Sequence, residues 1–219
     1  ISRVTHRHKV LQEWRFEQRF GAEVGVSALF EGPPGTGKTM GASIVAGELG
    51  MDLFQIDLSQ VVSKYIGETE KHLAKLFDEA ERAQAVLLFD EADSLFSKRT
   101  SVKSSNDRYA NLKVNYLLQR IERFSGIAIL TTNFPESLDN AFSRRLSVRV
   151  RFEDPGPKER VRLWKSMLTN KDVLGDIDIN TLAEHFEMTG ALIKNAVLRA
   201  AFMAAARNQY IDTDILYLA

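Results

Sequence analysis

Short, mostly apolar runs alternate with amphipathic stretches along the first two thirds of the chain. Val26–Phe30, Leu53–Ile56, Ala85–Phe89 and Ile127–Leu130 are such runs, and each is followed by apolar residues at helical spacing, as in Leu73, Leu76, Phe77 and Ala80. Runs of this kind predict strands buried on both faces, and their alternation with helices predicts a parallel sheet covered by helices on both sides. Leu146–Phe152 differs, because apolar and polar residues strictly alternate there. It reads as a strand with one wet face at or near the sheet edge. Ahead of the first strand, Val4–Phe20 carries Val10, Leu11, Trp14 and Phe20 among many charges, which predicts one amphipathic helix leading into the core.

In Glu153–Pro157 two prolines and a glycine break both kinds of periodicity. Beyond it no strand pattern recurs, and Lys158–Leu168, Thr181–Phe186 and Gly190–Arg207 read as helices. The last places Leu192, Ile193, Ala196, Val197, Ala200, Met203 and Ala204 along one face, with Thr189 as its cap. The expected organisation is an α/β domain over 1–154, including a helix within 1–20, and a small helical domain over 155–219. The polar stretch Ser97–Asp107 is expected to be a mobile loop.

Composition narrows the function. The 219 residues hold 29 basic and 29 acidic side chains, so no net field recruits nucleic acid or an anionic membrane. There is no cysteine, which excludes disulfides and thiolate metal sites and fits a reducing, cytoplasmic setting. No apolar run approaches the ~20 residues of a membrane helix. A start at Ile1, inside a charged helical pattern, reads as part of a longer chain.

Gly32-Pro33-Pro34-Gly35-Thr36-Gly37-Lys38-Thr39 fits the phosphate-loop pattern G-x-x-x-x-G-K-[ST] directly after a predicted strand. Its backbone N–H groups must converge on phosphate oxygens, which needs the tight turns that glycine permits. Pro34, Gly35, Thr36, Gly37, Lys38, Thr39 and Met40 are the expected nucleotide-binding residues. Lys38 would supply charge near the outer phosphates and Thr39 a hydroxyl for Mg2+, ahead of a helix whose N-terminal end favours anions.

The run Ala85–Phe89 ends in Asp90-Glu91-Ala92-Asp93, so a buried strand delivers carboxylates at its C-terminal tip, where ligands sit in open α/β sheets. Asp90 is the expected magnesium ligand and Glu91 the group that polarises the attacking water, although an acidic helix start would carry the same residues. Asn133, after Ile127–Thr132, could contact that water or the γ-phosphate, or could simply form a turn before Phe134-Pro135. Arg144 and Arg145 are planar cations suited to stabilising a transferring phosphoryl group, and equally suited to closing a helix end.

Together, the phosphate loop, Leu88–Asp93, Thr131-Thr132-Asn133 and Ala141–Leu146, followed by a helical domain, resemble an AAA-plus ATPase of the protein-remodelling AAA group. The resemblance implies a P-loop three-layer fold with a five-stranded parallel sheet in the order 5-1-4-3-2 and a C-terminal helical lid. It implies ATP and Mg2+ as ligands, and a homo-oligomeric, usually hexameric ring acting on a protein substrate. Asn133 matches the first sensor, Arg144 and Arg145 match arginine fingers that reach a neighbour, and Gly190 and Ala191 match the lid turn near adenine.

Lys64, Tyr65, Ile66 and Gly67 resemble the first pore loop of the group, where an aromatic ring can grip many peptide side chains without reading sequence. A capped helix start with a surface tyrosine is the plainer reading of those residues. Asp107 and Arg108 are candidates for a second pore loop, and the surrounding phrasing also looks like bacterial AAA proteins encoded with contractile injection systems. The expected function is an ATP-hydrolysing motor that threads proteins through its ring. An ATP-dependent assembly switch and a nucleic-acid-directed relative are the alternatives, the latter disfavoured by the neutral charge.

Overall fold

All five apolar runs become strands of one sheet. They are β1 (Val26–Glu31), β2 (Leu53–Asp57), β3 (Val86–Asp90), β4 (Ile127–Thr132) and β5 (Val148–Arg151). Every pairing is parallel, and the order β2-β3-β4-β1-β5 is the expected 5-1-4-3-2 read from the other edge. The computed structural model describes residues 6, 9–15, 25–58, 68–93, 115–135 and 146–219. These divide into two compact units, Ile1–Gly32 with Lys38–Arg151, and Pro33–Gly37 with Phe152–Ala219.

Both faces of the central strands are dry, which is why their sequences lack alternation. On one face Leu87 and Phe89 of β3 and Leu130 of β4 pack with Phe77 of α2 (Glu68–Ala83) and Ile121 of a helix over 115–123. The Phe77 ring meets Phe89 at 5.7 Å and Phe124 edge-on at 5.3 Å. Leu88 and Ile129 alternate to the other face and are also buried. That face receives α1 (Lys38–Glu48), which buries Ala42 and Ala46 and contacts β2, β3 and β4. Each fully buried Leu or Phe contributes about 1.5–3 kcal/mol, so the sheet is held chiefly by these two layers.

Two expectations for this unit need correction. In β5 all four residues are exposed, Val148 and Val150 at 37% each, so the strand lacks the dry face its alternation predicted. Among the described residues it lies at the sheet edge, paired to β1 alone. The helix expected over Val4–Phe20 is described only around Lys9–Glu13, where it is a π-helical turn. Its Trp14 N–H donates to the Lys9 carbonyl, and Arg15 at φ 60° ends it, leaving Trp14 59% exposed. The loop expected over Ser97–Asp107 lies outside the described residues.

The second unit contains α3 (Pro157–Met167), α4 (Ile179–His185), α5 (Gly190–Arg207) and α6 (Thr213–Leu218), around a core of Trp164, Leu182, Ile193, Ala196, Ala200 and Ile215. Asp178, Thr189 and Asp212 cap their helices by accepting from the N–H groups of Thr181, Leu192 and Ile215. Asn208 closes α5 in the left-handed conformation. The buried Arg160 donates to the carbonyls of Ala183 (2.7 Å) and Pro155 (2.9 Å), pinning α3 to α4. The α5 face differs from expectation at Leu192, which is 51% exposed. Ile193, Ala196, Ala200 and Ala204 line the buried stripe, and Leu192 stands roughly 100° around the helix from Ile193. The short α6 and a parallel bridge between Leu174 and Ile211 escaped the sequence reading.

Candidate functional site

Lys38 opens α1 and turns its ammonium back on the strand it follows. Its Nζ donates to the Gly32 carbonyl at 2.8 Å, and the residue is only 7% exposed. Burial pushes its pKa below the ordinary lysine value, and the nearby carboxylates of Asp93 and Asp90 counter part of that fall.

Three strands and one helix converge on Asp90. The register sets Asp57 of β2 opposite Asp90, and Phe89 opposite Leu130 of β4, so the next residue of β4, Thr131, arrives beside the Asp90 carboxylate. The Thr131 hydroxyl donates to Asp90 Oδ1, Gln55 Nε2 on β2 donates to Oδ2 at 2.9 Å, and the Thr39 hydroxyl on α1 donates at 3.2 and 3.4 Å. The Asp90 carboxylate thus accepts from α1, β2 and β4 at once.

Immediately after, the chain turns sharply: Glu91 has φ 54°, a left-handed backbone that a residue with a Cβ enters only at a cost. Its N–H donates to the Thr131 hydroxyl at 3.2 Å, and the Ala92 N–H donates to the Thr131 carbonyl at 2.9 Å. Asp93 then accepts from the Thr132 hydroxyl, from the Asn133 N–H at 3.0 and 3.2 Å, and from the Phe134 N–H at 3.4 Å. The end of β4, with half-buried Asn133, is thus tied to the end of β3 by its backbone.

Within the second unit, Gly35 and Gly37 have φ 77° and 97°, in the region that favours glycine. The Ala191 N–H donates to the Gly35 carbonyl at 3.2 Å, and a Cβ on Gly35 would fall 2.7 Å from Thr189 Oγ1. The Thr36 hydroxyl donates to the Pro33 carbonyl at 2.8 Å, while Pro34 is exposed. Gly35, Gly190 and Ala191, three of the expected nucleotide contacts, are therefore neighbours in this unit. Met40 is 62% exposed on α1.

Of the expected site residues in the first unit, the structure brings Lys38, Thr39 and Asp90 together, with Glu91 and Asn133 on the adjoining turns. Lys64, Tyr65, Ile66, Gly67, Asp107, Arg108, Arg144 and Arg145 lie outside the described residues. Sequence reasoning assigned no role to Gln55, Asp93, Thr131 or Thr132. The readable signal was two adjacent hydroxyls closing an otherwise apolar strand, where a buried hydroxyl needs a partner.

Residues 28–154, more than half of the chain, match the family described as ATPase family associated with various cellular activities (AAA). The chain belongs to this family. Among its relatives, a katanin p60 ATPase-containing protein from Danio rerio is 36% identical over 82% of this chain and 39% of its own length. An ATP-dependent zinc metalloprotease FtsH from Streptococcus pneumoniae is 33% identical over 88% of this chain and 31% of its own. A Cell division cycle protein 48 homolog from Archaeoglobus fulgidus is 35% identical over 82% and 25%. The AAA chain thus spans well under half the length of these relatives. The phosphate loop and the β3 acidic tip fall inside the matched span. Among the described residues no helix is long and apolar enough to cross a membrane.

Proposed function

We propose that this chain is the motor domain of an ATP-hydrolysing machine that remodels protein substrates. The observation that carries it is the convergence on Asp90 of hydroxyls from α1 and β4, with Lys38 buried nearby and Glu91 directly following. The phosphate loop holds the triphosphate through its N–H groups and Lys38. Glu91 accepts the proton of the water that attacks the γ-phosphorus as the bond to ADP breaks. Asn133, whose backbone Asp93 fixes, orients that water or reports the γ-phosphate. Gly190 and Ala191 approach the base of the nucleotide.

Thr39 and Asp90 present hard oxygen donors within 3.2–3.4 Å of each other. That set fits Mg2+, which keeps several waters and takes its remaining ligands from phosphates. When bound there, the ion supplies neutralising charge to the triphosphate.

The remaining roles rest on the resemblance and on the names of the relatives, one an ATP-dependent zinc metalloprotease and another a katanin p60 ATPase. In this reading the chain works in a cytoplasmic, hexameric ring. Arg144 and Arg145 act on a neighbour's nucleotide, and Lys64, Tyr65, Ile66 and Gly67 form a pore loop that grips polypeptide. The test uses the full-length protein. Glu91→Gln is expected to bind ATP normally and to lower turnover by about 10²–10⁴-fold, the range for removing a general base. Tyr65→Ala is expected to hydrolyse ATP while losing substrate remodelling. Undiminished turnover in the first variant overturns the hydrolytic assignment, and undiminished remodelling in the second overturns threading in favour of an ATP-dependent switch.

A further inference from the structure

A threonine hydroxyl can donate once and accept twice, and Thr131 uses it in both directions. It donates to the Asp90 carboxylate and accepts the Glu91 N–H at 3.2 Å. The residue is 2% exposed, in a strand paired on both sides. Glu91 meanwhile sits at φ 54°, a conformation that persists in a non-glycine residue only where surrounding contacts impose it. Among the contacts at this turn are the Thr131 hydroxyl on the Glu91 N–H and the Thr131 carbonyl on the Ala92 N–H. The second survives any side-chain change at this position, whereas the first depends on the hydroxyl.

We infer that Thr131 is a positioning residue for hydrolysis: its hydroxyl locks the side chain of Asp90 to the backbone of Glu91 and so fixes the relative placement of the two carboxylates. The Lys38 ammonium donates to the Gly32 carbonyl and the loop N–H groups lie on other residues, so nucleotide capture does not require that hydroxyl. Releasing it lets the left-handed turn relax, and Glu91 then leaves the place from which it serves the water. The consequence is a loss in kcat without a matching loss in affinity.

The inference rests on the hydrolytic reading above, and its test separates the two. In the assembled full-length protein, Thr131→Val keeps the β-branched shape and removes the hydroxyl, and Thr131→Ser keeps the hydroxyl. Thr131→Val is expected to lower kcat roughly ten- to a hundredfold, as for loss of buried hydrogen bonds to a charged group. Its dissociation constant for a fluorescent, non-hydrolysable ATP analogue should change by less than about threefold. Hydrogen exchange at the Glu91 amide should accelerate in Thr131→Val and remain protected in Thr131→Ser, which should also recover most of the turnover. Unchanged exchange in the valine variant, equal losses of kcat and analogue affinity, or failure of serine to rescue would each overturn the inference. If the valine variant does not fold, Thr131→Ala carries the same measurements. Faster exchange with unchanged turnover also overturns it, because the contact would then exist without serving catalysis. Failure of Glu91→Gln to slow turnover, by contrast, strikes the hydrolytic reading itself.

Discussion

In the phosphate loop Thr36 and Lys38 make side-chain contacts that are short in sequence: Thr36 reaches Pro33, three residues back, and Lys38 reaches Gly32, six residues back, while Thr39 at the loop's end reaches Asp90 across 51 residues. At the tips of β3 and β4 the contacts are long, with Thr131 reaching Asp90 and Thr132 reaching Asp93 across 41 and 39 residues. The loop's shape follows from local conformational demand, mainly glycines at positive φ. The tip's shape follows from strand register, and has no meaning until β3 and β4 are paired. A loop of the first kind can preserve its capture function when the tip is damaged, and the tip can stay intact when the loop is emptied of charge. Variants on each side should therefore separate affinity from turnover.

The largest effect on the loop side is expected from Lys38→Ala. It removes a charge-assisted donor to phosphate, an interaction worth about 1.5–3 kcal/mol, so nucleotide affinity should fall roughly ten- to a hundredfold in a titration with fluorescent ATP. The Glu91 amide should stay protected in that variant, since its N–H donates to the Thr131 hydroxyl. Retained affinity would remove the distinction between the two regions from the loop side.

Gly35→Ala tests local demand directly and should have a smaller effect. A Cβ at φ 77° meets the left-handed penalty of about 1–2 kcal/mol, and it would also lie 2.9 Å from the Ala191 Cβ. About tenfold weaker nucleotide binding is the expected result, with kcat at saturating ATP nearly unchanged. If the alanine variant binds as tightly as the parent, the loop is not shaped by its glycine.

The same contrast explains what could be read from the amino acids alone. The glycines, Lys38 and Thr39 announce themselves because their spacing is the geometry, and the buried strands do so because Leu87, Leu88 and Phe89 leave no wet face. Thr189 was legible as a cap because capping is local. Gln55, Thr131 and Asp93 were not, because each acts through a partner that only the register supplies. Trp14 and Leu192 misled for a related reason: helical periodicity names an apolar face but cannot say whether the turn is π-helical or which flank of the stripe meets the core.

The smallest effect expected is a pH dependence that places Lys38 between the two regions. Its pKa in the folded chain lies below 10.5 because burial strips water from the ammonium, while Asp93 and Asp90, both at the tip, counter part of that loss. The unfolded chain therefore holds this proton more tightly than the folded one. Below the folded pKa both states are protonated and the full cost of burying the cation is present. Between the folded pKa and 10.5 the unfolded chain alone keeps the proton, so the cost is relieved and stability rises with pH. Lys38→Met removes this contribution and leaves the other titrating groups in place. Denaturation without nucleotide, run from neutral pH upward, should show the stability of the parent gaining on that of Lys38→Met as 10.5 is approached. In Asp93→Asn the Lys38 pKa should fall further, so the gain should begin at lower pH. A constant difference between parent and Lys38→Met would mean that Lys38 carries the same pKa folded and unfolded. An unshifted onset in Asp93→Asn would mean that the tip and the loop lysine do not sense each other.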